Sequence, residues 1–252
     1  MVGVAIGVAV LIVVLSVMNG FERELRERIL SMTSHATVTT FGAGLQDWPA
    51  LRERALANPA VEAVAPYVEG EALLIGERSD GVSAAVALRG IDPEFETQVS
   101  AIGERLRSGS LAALEPGSYR MLLGAEVASR LGVAAGDTVV AAIAQGTVTP
   151  AGVVPRMRRF TVAGVFYSGM YEIDNGLALV NLGDAGRLFR TGDDVTGLRL
   201  KVRDPLRAPS VAREVARGMD GGFLVEDWTQ RHANFFRSIE LTKRMMFFIL
   251  LL

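Results

Sequence analysis

Residues 1–30 read MVGVAIGVAVLIVVLSVMNGFERELRERIL, and the change of character at Asn19 organises everything that follows. No charged side chain occurs from Met1 to Met18. At about 1.5 Å rise per residue, such a run spans roughly 27 Å as a helix, close to a bilayer core of about 30 Å. A cleaved leader would want a basic residue ahead of a shorter apolar core, and small residues at the cleavage point. Here the first basic residue is Arg23, and Ser16-Val17-Met18-Asn19 suits cleavage poorly, so a membrane helix is expected. Gly3 and Gly7 have the small-xxx-small spacing that lets helices approach closely in lipid, although glycine is common in such helices anyway. Beyond Asn19, Phe21, Leu25, Ile29 and Met32 recur as one apolar stripe at helical spacing. Glu22 with Arg26 and Glu24 with Arg28 form i,i+4 pairs on the other faces. The helix is expected to leave the bilayer as an amphipathic stalk.

The other end of the chain repeats the pattern in reverse. Trp228 leads into a second stalk with Phe235, Ile239, Thr242 and Met246 on one face, and MMFFILLL from Met245 to Leu252 is the expected start of a second membrane helix. The 252 residues allow one large or two small domains. A net charge of −2 gives no bulk attraction for nucleic acid. Cysteine is absent, which excludes a disulfide framework and a thiolate metal site.

Between the stalks the pattern alternates strand and helix. His35–Thr40 reads as a strand, and Trp48–Ala57 as a helix with Asp47 as N-cap, ended by Asn58-Pro59. Val61–Ile75 reads as one or two strands and Val82–Gly90 as another. Strand Gly197–Val202, helix Ser210–Gly218 and strand Phe223–Glu226 repeat the order, and LRERALANPAVEAVAPYV compares with VAREVARGMDGGFLVEDW as a weak internal repeat. In the middle, Leu122–Val133 reads as a strand, a short helix and a glycine cap. Thr138–Ile143 and Arg159–Val165 are strands. The segment AQGTVTPAGVVPRMR between them is expected to be too long for a tight hairpin and too rich in proline for a central strand, and therefore to project as a semi-rigid arm.

Searching for chemistry gives little. There is no G-x-S-x-G, no H-E-x-x-H and no G-x-x-x-x-G-K-[ST], and the two histidines, His35 and His232, lie far apart in sequence. No catalytic residue, metal ligand or cofactor is assigned, and no enzyme activity is expected of this chain.

Three stretches carry a resemblance. VMNGFERELRERIL after an apolar helix resembles the start of the transmembrane subunits of the bacterial lipoprotein-releasing ABC transporter, the LolC/LolE type. LLGAEVASRLGVAAGDTV is similar to a signature shared with the wider macrolide-exporter permease superfamily. TPAGVVPRMRRFTVAGVF, followed by Asp174-Asn175-Gly176 and ALVNLGDAGRLFR, again resembles the lipoprotein-releasing subunits.

The resemblance implies an α+β fold, in which a periplasmic domain of β-α-β units with an inserted β-rich subdomain is flanked by two partial transmembrane helices with extended stalks. Residues 1–33 would be the first helix and stalk, and 34–227 the periplasmic domain. Within it, 34–98 and 192–227 would form the β-α-β part, and 99–191 the β-rich insert with a hook loop at 144–158. Residues 228–252 would begin the second helix. It further implies a multi-pass permease subunit of the bacterial inner membrane that helps extract lipoproteins and pass them to a periplasmic chaperone. An ATPase subunit and a second permease subunit, similar or identical, would be its partners.

By the same resemblance, the hook that recruits the chaperone would comprise Thr149, Pro150, Ala151, Gly152, Val153, Val154, Pro155, Arg156 and Arg158. Contact with membrane lipid and the lipoprotein's acyl chains would fall to Val13, Leu15, Val17, Met18 and Phe21 on the first helix, and Met246, Phe247 and Leu250 on the second. Two alternatives remain open: an exporter permease of the same superfamily for drugs or peptides, and a membrane-anchored extracytoplasmic binding or sensor module.

Overall fold

The computed structural model describes residues 12–14, 16–17, 20, 34–42, 44–77, 81–149, 152–219, 221–231, 241 and 245. Along the chain run β1 (Ala36–Thr40), α1 (Trp48–Leu56), β2 (Val61–Gly76), β3 (Ser83–Ile91), α2 (Pro93–Val99), β4 (Leu106–Ser108), β5 (Arg120–Gly124) and α3 (Ala125–Leu131). There follow β6 (Thr138–Thr149), β7 (Gly152–Phe166), α4 (Tyr171–Gly176), β8 (Leu177–Asn181), α5 (Leu182–Phe189), β9 (Gly197–Val202), α6 (Ala208–Gly218), β10 (Phe223–Asp227) and α7 (Trp228–Arg231).

The first and last parts of the domain build one sheet together, in the order β10-β1-β9-β2. Strand β1 is antiparallel to both β9 and β10, with Val38 opposite Leu198 on one side and Val225 on the other. Strand β9 is antiparallel to the first half of β2, with Leu200 opposite Val64. β1-α1-β2 and β9-α6-β10 are therefore two split β-α-β units, each inserting a strand between the two strands of the other. That interleaving is the physical form of the weak repeat in the sequence.

Alternation sorts the faces. Leu198, Leu200 and Val202 are buried in the core cluster with Val211, Ala212 and Val215 of α6, and each such aliphatic side chain contributes about 1.5–3 kcal/mol by leaving water. On the other face α2 covers Ala63 and Ala65 through Phe95 and Val99. The Phe95 ring meets Trp48 edge-on at 6.3 Å.

Strand β2 is 16 residues long and leaves this sheet halfway along. From Tyr67 it pairs with β3, and from Leu73 to Gly76 also with β6. β3 then runs parallel to β8, β8 antiparallel to β5, β5 parallel to β7 and β7 antiparallel to β6. The pairing β2-β3-β8-β5-β7-β6-β2 closes a ring of six strands, which leaves no free edge between them. The ring is filled, since Leu74, Val86, Leu88, Met121, Leu123, Val139, Phe160 and Val180 are buried in the same core cluster. A second apolar cluster, including Ile91, Leu122, Phe166 and Leu179, lies under Ile102, Leu111 and Leu114. The strands Val61–Ile75 and Val82–Gly90, read from sequence beside the β-α-β part, thus supply two staves of the ring.

The ends of the domain are tied together. Ala36 pairs with Asp227, the backbone N–H of Trp228 donates to His35 O at 3.1 Å, and the Trp228 indole N–H donates to Pro205 O at 2.8 Å. The two ends of the described domain, at His35 and Trp228, therefore lie side by side. Among the described residues no helix is long and apolar enough to cross a membrane. The stalk residues Phe21, Leu25, Ile29, Met32, Phe235, Ile239, Thr242 and Met246 lie outside the described residues.

One local expectation needs correcting. Asp47 stands at the N-cap position of α1, but its backbone is left-handed (φ 45°) and its side chain makes no capping hydrogen bond. Its carbonyl accepts from Leu51 N–H at 3.2 Å, and a proline in the first turn removes one of the donors a cap would have served.

Candidate functional site

Strands β6 and β7 outrun their neighbours. β2 accompanies β6 only from Val139 to Ala142, and β5 accompanies β7 only from Thr161 to Phe166. Between those limits and the tip, the two strands pair with each other alone among the described strands, down to Thr149 opposite Gly152. The expectation that this segment is too long for a tight hairpin is overturned: β6 and β7 pair as a β-hairpin interrupted by one irregularity, and only Pro150 and Ala151, outside the described residues, separate its paired ends.

Proline is accommodated by an irregularity. Ile143 faces Arg156 and Thr147 faces Val154, so the three residues 144–146 stand opposite the single Pro155. Proline has no N–H to give the ladder, and a bulge at that point removes the need for one. Of the other hook residues, Thr149, Gly152, Val153 and Val154 lie in the strands next to the tip.

At the foot of the hairpin the strand alternation takes a turn from core to charge. Phe160 is buried inside the ring; two and four residues earlier on the same face of β7 come Arg158 and Arg156. The Arg158 guanidinium carbon lies 3.9 Å from the centre of the Tyr119 ring, a cation–π geometry. Tyr119 in turn meets Phe160 edge-on at 5.8 Å. Arg156 Nη1 donates to Leu188 O at 3.0 Å, near the C-terminus of α5, where helix carbonyls lack partners and favour a cation. The Nε of Arg156 is buried without a hydrogen-bond partner.

Helix α5 is held in place from below. Asn181 Oδ1 caps it by accepting from Gly183 N–H at 2.9 Å. The buried Asp184 accepts from Gly117 N–H at 2.9 Å and Tyr119 N–H at 3.0 Å, and pairs with Arg187 Nη1 at 3.0 Å. Strand β3 makes room for the helix: a Cβ on Gly90 would lie 2.3 Å from the Ala185 methyl. The result is an open recess of about 230 Å³ lined by Tyr119, Arg156, Met157, Arg158, Arg187, Leu188 and Arg190. Arg156 and Arg158 are read from the sequence as hook residues; Tyr119, Arg187 and Arg190 are not. NLGD at 181–184 is a legible helix start, but nothing in the sequence brings its arginines to the hairpin.

A second recess, of about 210 Å³, lies beside Ser34. It is lined by apolar groups including Ile102, Ile173 and Leu179, and by Arg89, Glu96 and Arg199. Arg89 Nε lies 2.5 Å from Glu69 Oε2, and Arg199 Nη1 lies 2.6 Å from Glu96 Oε2. Burial pushes the Arg199 guanidinium below its ordinary value, against the pull of Glu96. At Arg89 burial acts in the same downward sense, but the neighbouring Glu69 and Glu96 carboxylates outweigh it and hold the group above its ordinary value. These charges are spent on one another.

Of the residues read as lipid-contacting, Val13 and Val17 are 61% and 65% exposed; Leu15, Met18, Phe21, Met246, Phe247 and Leu250 lie outside the described residues. Among the described residues no three His, Cys, Asp or Glu side chains gather as metal ligands would.

A six-stranded ring carried on two interleaved split β-α-β units, with one hairpin drawn out beyond it, defines a mixed helix–strand domain of two joined parts. The chain belongs to the family of MacB-like periplasmic core domains, whose family model matches residues 1–217. It is 46% identical over 244 residues to the lipoprotein-releasing system transmembrane protein LolC of Xylella fastidiosa, covering 97% of this chain and 58% of that protein. It is 41% identical over 251 residues to the protein of the same description from Neisseria meningitidis serogroup B, covering 99% of this chain and 60% of that one. The chain thus spans about three fifths of the length of these relatives. Among solved structures, the periplasmic region of MacB from Actinobacillus actinomycetemcomitans is similar at 14% identity and a TM-score of 0.49, covering 84% of this chain and 95% of that one.

Proposed function

We propose that the chain is part of the permease subunit of an ATP-driven transporter, one that extracts lipoproteins from the bacterial inner membrane and passes them to a periplasmic chaperone. The relatives' description supports the process, and the observation that carries the reading is the hairpin of β6 and β7, which outruns both neighbouring strands and has a cationic foot. In this reading the hairpin tip, residues 149–155, and Arg156 and Arg158 form the chaperone's docking hook. Residues 1–33 and 228–252 hold the first membrane helix and the start of the second, with the intervening domain on the periplasmic side. Two domain ends that lie side by side fit two adjacent membrane helices.

The physical demand on such a machine is set by the acyl chains. At about 0.8 kcal/mol per buried CH₂, three chains of about fifteen carbons hold a lipoprotein in the bilayer with roughly 35 kcal/mol. Release through water is negligible, so lipid has to pass directly from bilayer to protein. Val13, Leu15, Val17, Met18 and Phe21, with Met246, Phe247 and Leu250, are assigned to that passage. A separate ATPase subunit supplies the energy, and a second permease subunit completes the transporter.

The test is a photocrosslinker placed at Val153 or at Arg158 of the full-length protein. The expected result is an adduct with the periplasmic lipoprotein chaperone. An expressed and inserted protein that gives no adduct at either position would remove the hook from the mechanism.

A further inference from the structure

The recess beside Ser34 has its charges balanced but not its donors. It lies where β3, β8 and β9 meet α2 and α4, and its apolar wall includes Ala87, Ile102, Met170, Ile173, Leu177 and Leu179. Arg89 pairs with Glu69 through Nε. Arg199 holds Glu96 through Nη1 and Ser34 Oγ through Nε. Among the described residues, Arg199 Nη2 and both terminal nitrogens of Arg89 donate no hydrogen bond. Arg199 is 3% exposed and lines the recess, so its unused donor lies inside the domain rather than on its surface. A donor in such a place gains from an acceptor brought to it.

Charge decides what that acceptor is. Two arginines face two carboxylates, and the exposed Glu172 adds a negative charge at the rim. An anion entering here gives up its hydration for no net positive charge. An uncharged carbonyl oxygen gives up far less and takes the unused N–H groups. Size narrows the choice further. A cavity of about 150 Å³ holds one benzene. This recess, at about 210 Å³, admits one large apolar side chain but not an acyl chain of about fifteen carbons.

We propose that this recess seats a passing lipoprotein by its polypeptide: one large apolar side chain enters against Ile173 and Leu179, and a peptide carbonyl beside it accepts from Arg89 or Arg199. The inference rests on the proposed function and adds to it a contact with the cargo's polypeptide. In that reading residues 1–33 and 228–252 run to the membrane, so Ser34 marks the end of the domain nearest the bilayer, from which an acylated polypeptide comes. The hook assigned to the chaperone lies on β6 and β7, and no residue of either strand is among those lining the recess. Peptide carbonyls occur in every sequence, and Met170 gives the wall a side chain that adapts to different partners. Such a seat holds cargoes of unrelated sequence and disfavours a free lipid anion.

The experiment places a photocrosslinker at Glu172, exposed at the recess, in the full-length permease assembled with its ATPase and partner subunit in reconstituted membranes. An acylated lipoprotein is the cargo. The expected adduct joins the cargo's polypeptide near its acylated end, and replacing the large apolar residues of that stretch by glycine lowers the yield about fivefold or more. Two variants blunt the seat without removing an ion pair, each checked for an unchanged melting profile. Arg89→Lys keeps the charge opposite Glu69 but loses the fork of donors. A Cβ on Gly176, also at the recess, would meet no atom within 4 Å, so Gly176→Leu has room to add bulk there. Each is expected to lower the adduct about threefold or more. A yield unchanged in both variants, or an adduct confined to the acyl chains or to another subunit, overturns the seat. The crosslinker at Val153 separates this from the underlying reading. If Val153 captures the chaperone while Glu172 captures no cargo, the seat fails and the proposed function stands. If Val153 captures no chaperone and no lipoprotein is released, the proposed function fails and the seat fails with it.

Discussion

Arg199 holds Glu96 through a single terminal nitrogen, 2.7 Å and 2.6 Å from the two carboxylate oxygens, with both residues almost completely buried. The pair fastens α2 to β9, and Arg199 Nε reaches Ser34 Oγ at 3.3 Å, so it also ties down the segment that leads out towards residue 33. A buried pair of this kind gives little net stability over an apolar replacement, but losing one partner strands the other. Arg199→Met is therefore expected to destabilise a segment spanning 34–231 by about 3–5 kcal/mol in urea unfolding, with Arg199→Met combined with Glu96→Leu recovering most of it. Equal losses in the single and double variants would mean that the charge pairing is not what holds α2.

Asp184 has a structural role that its position in an amphipathic helix does not announce. Three donors converge on it, from Gly117, Tyr119 and Arg187. Asp184→Asn replaces one acceptor oxygen by a donor facing an N–H, and should cost about 2–4 kcal/mol. The same variant should speed hydrogen exchange at the Gly117 and Tyr119 amides before any change reaches the interior of the ring. Unchanged exchange at both amides would show that the turn before β5 is held by something else.

Gly124 tests why two separated stretches recognised in the sequence belong together. It sits between β5 and α3, and a Cβ there would lie 2.2 Å from the backbone oxygen of Asp174. Asp174 is itself buried and accepts from Ser168 N–H at 2.7 Å, Ser168 Oγ–H at 2.8 Å and Gly169 N–H at 3.0 Å, so its backbone has little freedom to yield. Arg130 and Asn175 hydrogen-bond across the same contact. LLGAEVASRLG and DNG are thus two sides of one packed junction. Gly124→Ala should lower stability by about 2–4 kcal/mol, seen as a lower urea midpoint with unchanged slope; a loss below about 0.5 kcal/mol would show that α4 moves aside freely.

How far the sequence reached depends on how local each signal was. Alternation and capping placed β1, α1, β9, α6 and β10 within a residue or two, and Gly132 takes the left-handed cap (φ 64°) that its position after Leu131 suggests. Helices α2, α4 and α5 are not legible as elements, because at six to eight residues they are too short to show a helical period. The hairpin was legible as something that projects, because of its glycines and prolines. It was not legible as strand, because a proline argues against a ladder and the bulge that absorbs Pro155 depends on how β6 slips against β7. The arginine recess was out of reach for a different reason. Arg156 and Arg187 are 31 positions apart, and they meet only because the ring closes and α5 lies against it.

Arg158 offers the sharpest separation of structure from docking. It is exposed and stacks on Tyr119, and such a contact contributes only about 0.5–1 kcal/mol at an accessible site. Arg158→Glu should therefore leave the fold intact. Under the proposed function, it should lower lipoprotein release to the chaperone in reconstituted membranes while ATP hydrolysis by the transporter persists, because the reversed charge opposes docking at the hook. Tyr119→Leu removes the stacking surface but keeps the charge, so it should lower release less, by about two- to threefold, as Arg158 loses its fixed orientation. Release unchanged by Arg158→Glu would make this arginine an ordinary surface cation. Release and ATP hydrolysis falling together would instead place the damage in assembly of the transporter.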